Sequence, residues 1–72
     1  MIRTYIEVLP YDQADRFKTH LRNMGVKYDS GEVGGHQYIQ FDYEETEIVD
    51  IKVLLDETKA YCWAQKAIKS KN

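Results

Sequence analysis

Seventy-two residues, one cysteine and a net charge of −2 set the limits for this chain. It is read as a single domain over residues 1–72, near the lower size for folding without staples or partners. A hydrophobic share of 43% excludes global disorder. Cys62 is the sole cysteine, which excludes an intrachain disulfide and suits a reducing compartment. MIRTYIEVLP carries Arg3 and Glu7 and no apolar run, so no signal peptide is expected. No apolar run nears the roughly 20 residues of a membrane helix. A cytoplasmic location, with no membrane contact, is the expectation.

Residues 2 to 9 alternate Ile2, Thr4, Ile6, Val8 with Arg3, Tyr5, Glu7, Leu9, the period of a strand, which Pro10 ends. Which face points inward is weakly determined, because Tyr5 and Leu9 are also apolar. In YDQADRFKTHLRNMG, Ala14, Phe17, Leu21 and Met24 form an apolar stripe at helical spacing. Asp12 can cap that helix, Asp15 suits its positive end, and Gly25 suits a left-handed stop. VKYDS is a short strand, and GEVGG a five-residue hairpin connection in which Gly31, Gly34 and Gly35 supply positive backbone dihedrals. Residues 36–43 return as a strand, with Gln37, Ile39, Phe41 and Tyr43 on the drier face and His36, Tyr38, Gln40 and Asp42 on the other.

TEIVDIKVLL admits two readings. As a strand it gathers Val49, Ile51, Val53 and Leu55, and its β-branched content favours this. As a helix it gathers Ile48, Ile51 and Leu55 but leaves Val49 and Val53 on the far side, needing cover from outside the core. DETKAYCWAQKAIKSKN reads as a helix with Ala60, Trp63, Ala64, Ala67 and Ile68 on one side and lysines on the other. Its rival is a strand from YCW, after a turn lacking the glycine or asparagine of tight hairpins. The last three residues are expected to fray. The sum is an α+β two-layer sandwich in the order β-α-β-β-β-α, with a mostly antiparallel sheet and both helices on one face. The opposite sheet face is left open and carries residues such as Tyr5 and Tyr38.

Catalytic and ligand motifs are weak throughout. The glycines lie between two predicted strands, with no lysine-serine or lysine-threonine pair after them, so they make a turn and not a phosphate cradle. His36 lacks a nucleophile and an orienting carboxylate at local spacing: Asp42 is about 20 Å along the same strand face. One cysteine and two scattered histidines do not suit zinc, and Asp42, Glu44 and Glu45 lack the pattern of a calcium loop. Cys62 has Lys59 and Lys66 near it in sequence but no local histidine. No enzyme activity, cofactor or metal is assigned.

Two binding readings remain. Six tyrosines, one tryptophan and two phenylalanines are more rings than so small an interior can hide. Seven acids lie between Asp42 and Glu57, against Lys52 alone. The leading expectation is a non-catalytic protein-binding or regulatory module, an inhibitor or modulator of a basic partner, docking through Tyr5, Tyr38, Asp42, Glu44, Glu45 and Glu47. A strand edge could also support a homodimer. The alternative is nucleic-acid binding through Arg16, His20 and Arg22 of the first helix and Lys27 after it, together with the sheet tyrosines. The net acidic charge weighs against it, and neither strand is read as carrying the RNP pattern of glycine and interleaved aromatics. In size and composition alone the chain resembles the accessory proteins of phages and mobile elements, a likeness that assigns no residue.

Overall fold

The structure, a computed structural model, describes residues 1–8 and 11–69, with the side chain of Tyr11 excepted. Leu9 and Pro10, where the first strand is expected to end, lie outside the described residues, as does the fraying expected of residues 70–72. The elements are β1 (Ile2–Val8), α1 (Tyr11–Asn23), β2 (Tyr28–Val33), β3 (His36–Tyr43), a short 3-10 turn (Glu45–Glu47), α2 (Ile48–Thr58) and β4 (Tyr61–Ala67). The four strands form one sheet in the order β2-β3-β1-β4, and every neighbouring pair is antiparallel. Both helices pack on one face of it, so the α+β two-layer class expected from the sequence holds.

The last two elements exchange roles relative to the sequence reading, giving β-α-β-β-α-β. Residues 48–58 are helical, and burial explains why. Ile51, Leu54 and Thr58 recur at helical spacing on the sheet side, with Ile48 and Leu55 packed beside them. Tertiary burial here overrides the strand preference of Ile48, Val49, Ile51 and Val53. Val49 and Val53 are left 67% and 50% exposed. The turn before α2 gives a further signal: the Glu44 N–H donates to the Glu47 carboxylate at 3.0 Å, half of a capping box. Lys59 ends α2 in the left-handed region at φ 54°, with the Ala60 N–H reaching back to the Leu55 carbonyl at 3.0 Å. That reversal delivers the chain to β4, which pairs with the free side of β1.

Residues 61–67 are therefore an edge strand and not the expected helix. The sheet side of this strand is made by Cys62, opposite Ile6, and by Gln65, whose side-chain amide donates to the Thr4 hydroxyl at 3.3 Å. A bulge separates the two: Tyr5 faces Ala64 and Ile6 faces Cys62, which leaves Trp63 unpaired between them.

The core lies between the helices and the inner face of β1 and β3. Ile6, Val8, Ile39, Phe41 and Tyr43 meet Ala14, Phe17 and Leu21 of α1 and Ile51 and Leu54 of α2. The Phe17 and Phe41 rings sit 5.4 Å apart at 52°, an efficient tilted pair. Thr4 and Thr58 are buried with their hydroxyls bonded, Thr58 donating to the Leu54 carbonyl at 2.7 Å. Gly25 closes α1 at φ 75°, and the Val26 N–H donates to the Leu21 carbonyl at 2.8 Å.

The hairpin is tighter than the sequence suggests. Val33 pairs with His36, so only Gly34 and Gly35 turn the chain, with φ of 58° and 83°. Two positive-φ residues are the signature of a type I′ turn, whose twist matches that of the strands it joins. Gly31 does not belong to the turn. It lies within β2 opposite Tyr38, with no positive φ.

Candidate functional site

The uncovered face of the sheet follows from strand alternation. Thr4, Ile6 and Val8 of β1 point into the core, which resolves the ambiguity of that strand and turns Arg3, Tyr5 and Glu7 outward. On β3 the same rule turns His36, Tyr38, Gln40 and Asp42 outward, as expected. Register then fixes neighbours. Asp42, Arg3 and Lys66 form one row, and Asp29, Gln40, Tyr5 and Ala64 the next. Gly31, Tyr38, Glu7 and Tyr61 follow, then Val33 and His36.

Rings dominate the middle of this face. Trp63, raised by the bulge and 51% exposed, lies 5.2 Å from Tyr5 between ring centroids. Tyr38 and His36 form a second pair at 6.3 Å. Of the eight rings whose burial is described, only Phe17, Phe41 and Tyr43 belong to the buried core. The surplus of aromatic surface is thus gathered mainly on one side of the sheet. Between Tyr5, Tyr38 and Trp63 lies a recess of about 230 Å³, bordered by Asp29, Gly31 and Gln40.

The charges around the rings are paired unevenly. The Arg3 guanidinium makes two bonds to the Asp42 carboxylate, at 2.9 and 3.1 Å. The Asp42 hydrogen bond and charge raise the Arg3 pKa above its ordinary value. Glu7 and His36 meet at 2.8 Å between Oε2 and Nδ1. Lys66 sits beside Arg3 in register, two cations side by side, an arrangement that costs stability unless an anion shares them. A cleft of about 630 Å³ adjoins the recess: Asp29 and Gln40 line both, and Arg3, Arg22 and Lys27 line the cleft.

The residues expected at a site are accordingly divided. Tyr5, Tyr38 and Asp42 share the open face, with Asp42 already held by Arg3. Glu44, Glu45 and Glu47 follow the end of β3 and lead into the helix layer. There Glu44 lies 3.8 Å from the N-terminal ammonium, and Glu47 accepts from the Glu44 backbone. The acidic and aromatic halves of the expected protein-docking surface are therefore not one patch. Of the cations, Arg22 and Lys27 reach the cleft beside the sheet. Arg16 instead faces Glu57 of α2 at 3.6 Å, and His20 borders a groove with Met24 and Val53 in the helix layer.

Three features of the site escape a sequence reading. Trp63 is missed because residues 61–67 form a strand where a helix stripe is presumed, and a bulge, invisible in composition, sets the ring beside Tyr5. Lys66 travels with it. The third is the run Gly35-His36-Gln37-Tyr38-Ile39-Gln40-Phe41, in which a glycine is followed by rings at His36 and Tyr38 on the open face, with Phe41 three residues on and turned into the core. Gly34 occupies the place of that pattern's basic residue. Cys62 and His36 lie on opposite faces of the sheet, so no nucleophile–base pair forms between them. Among the described residues no group of three His, Cys, Asp or Glu side chains could hold a metal ion. Nor is any described helix long and apolar enough to cross a membrane. No protein-family model matches the chain, and none of the curated proteins compared with it matches either.

Proposed function

We propose that this protein is a non-catalytic binding module that holds a single-stranded nucleic acid across the uncovered face of its sheet. The observation that carries this reading is the ring cluster Tyr5, Trp63, Tyr38 and His36 on the outward side of β1, β3 and β4. Bases stack on such rings whatever their sequence, at about 1–3 kcal/mol each, and small four-stranded modules read RNA in this way. Charge supports it: Lys66, Arg22 and Lys27 lie toward the Arg3 end of the ring row, where a backbone phosphate would lie, while Arg3 itself is held by Asp42. The acids from Glu44 to Glu57 follow β3 into the helix layer, and on the open face Glu7 and Asp42 are paired with His36 and Arg3, which leaves Asp29.

Anisotropy of labelled eight-nucleotide single strands, titrated at two salt concentrations, tests the reading. Binding should weaken with salt with a slope of about −2, as about three neutralised phosphates require. Tyr5→Ala and Trp63→Ala should each weaken it by about fivefold or more while the far-ultraviolet spectrum stays native. A chain that binds no strand of any composition overturns the reading, and a protein ligand on the same rings then takes its place.

A further inference from the structure

Gly31 is a glycine without a local reason. Gly25, Gly34 and Gly35 each sit at positive φ, where a side chain is strained. Gly31 does not, and a Cβ built there meets nothing within 4 Å. It lies mid-strand, where β-branched residues are preferred and glycine weakens pairing. What the missing side chain leaves is the recess beside Tyr38, about 230 Å³ in volume and smaller than a typical drug-sized pocket. That is room for one flat ring system, with Tyr5, Tyr38 and Trp63 as walls.

The polar rim of this recess is specific. Asp29 and Gln40 are direct neighbours in the β2–β3 register, both outward, and neither makes a side-chain hydrogen bond among the described residues. A carboxylate only accepts, through two oxygens side by side. Guanine is the base whose Watson–Crick edge offers two adjacent donors, N1–H and the N2 amino group, with the O6 acceptor next to them. The carboxylate can take both donors while the Gln40 amide donates to O6. Adenine and cytosine each present one amino donor beside a ring nitrogen acceptor, which would face the second carboxylate oxygen lone pair to lone pair. Uracil and thymine present one N–H between two carbonyls.

Building on the nucleic-acid reading, we infer that the recess over Gly31 takes a single guanine of a bound strand, stacked among Tyr5, Tyr38 and Trp63 and read by Asp29 and Gln40. The guanine belongs to a strand and not to a free nucleotide, because Arg22 and Lys27 border a cleft that leads away from the recess, toward the neighbouring phosphates.

Quenching of the single tryptophan, Trp63, gives the test. Thymidine octamers carrying one central G, inosine, A or C are titrated into the intact protein. The G strand is expected to bind roughly tenfold tighter than the A and C strands, the discrimination of one bidentate contact. Inosine lacks the N2 amino group and should fall between. Asp29→Asn should erase the preference without weakening thymidine binding, since it removes a negative charge beside the cleft. Gly31→Val should also erase it, with a melting temperature equal to or above that of the parent, so that loss cannot be blamed on misfolding. Equal affinity for all four strands, with binding still dependent on Tyr5, overturns the guanine assignment and leaves the stacking surface standing. A Gly31→Val protein that keeps the preference overturns it as well, as does guanosine monophosphate competing as well as the G strand. Failure of every strand to bind removes the underlying reading instead.

Discussion

The two faces of the central strands are built from one backbone and alternate residues, yet they obey different rules. On β3, Ile39, Phe41 and Tyr43 are almost wholly buried, while His36, Tyr38, Gln40 and Asp42 between them stay partly or fully open. The covered face is a packing problem, in which volume and shape decide what is tolerated. The open face holds as many rings but spends them on neighbours only in pairs, Tyr5 with Trp63 and Tyr38 with His36. Aromatic content by itself therefore says little about where a core is. Its phase along the strand says which rings hold the fold and which are available to a ligand.

Substitutions on one strand break that contrast most directly. Phe41→Ala should cost about 3–5 kcal/mol, read by urea denaturation, because it empties a buried site against Phe17. Against the stability of a domain this size, roughly 0.05–0.15 kcal/mol per residue, that loss is close to global unfolding. Tyr38→Ala, three residues away, should cost only about 1 kcal/mol by the same measurement, while its effect on strand binding is large. A loss at Tyr38 comparable with that at Phe41 would show that the open face is structural after all.

Smaller effects come from the end of the helix layer. Lys59→Gly should raise the melting temperature, with a gain of about 1 kcal/mol, since it relieves a side chain held at φ 54°. Val53→Lys, on the exposed flank of α2, should stay within about 0.5 kcal/mol of the parent, because it removes half-exposed surface and improves helix propensity. A larger penalty would mean that the flank is covered in solution. The Arg3–Asp42 pair gives the smallest effect of all. Asp42 raises the Arg3 pKa, so the stability due to Arg3's proton is fully present below the pKa of the unfolded chain and disappears only as pH rises through the folded value. From about pH 6 to 9 its contribution to a denaturation midpoint should be constant.

Much of this architecture is legible in the chain itself. The stripe Ala14, Phe17, Leu21 and the alternation of residues 36–43 depend on local period, and both survive into the structure unchanged. The second half fails where local and tertiary preferences conflict. Residues 48–55 prefer strand by composition, but a helix there buries Ile51 and Leu54 against the sheet, at the expense of exposing Val49 and Val53. Residues 61–67 then supply the strand that β1 lacks on its free side. Of the candidate site, Tyr38 is found from alternation alone, and Tyr5 only once the inner face of β1 is fixed by packing. Trp63, Lys66 and Asp29 are not, since their places depend on a bulge and on cross-strand register, neither of which leaves a mark in composition.

The bulge in β4 also bears on how the chain can change length. It shifts the alternation by one step, so that Trp63 leans over Tyr5 while Lys66 still stands in line with Arg3. Excising a residue at this point would straighten an edge strand without moving any of the interior, and the ring would drop out of the cluster. Deleting Trp63 would therefore break the Tyr5–Trp63 pair and leave the folded body as it is, so the make-up of the open face can change there independently of the core.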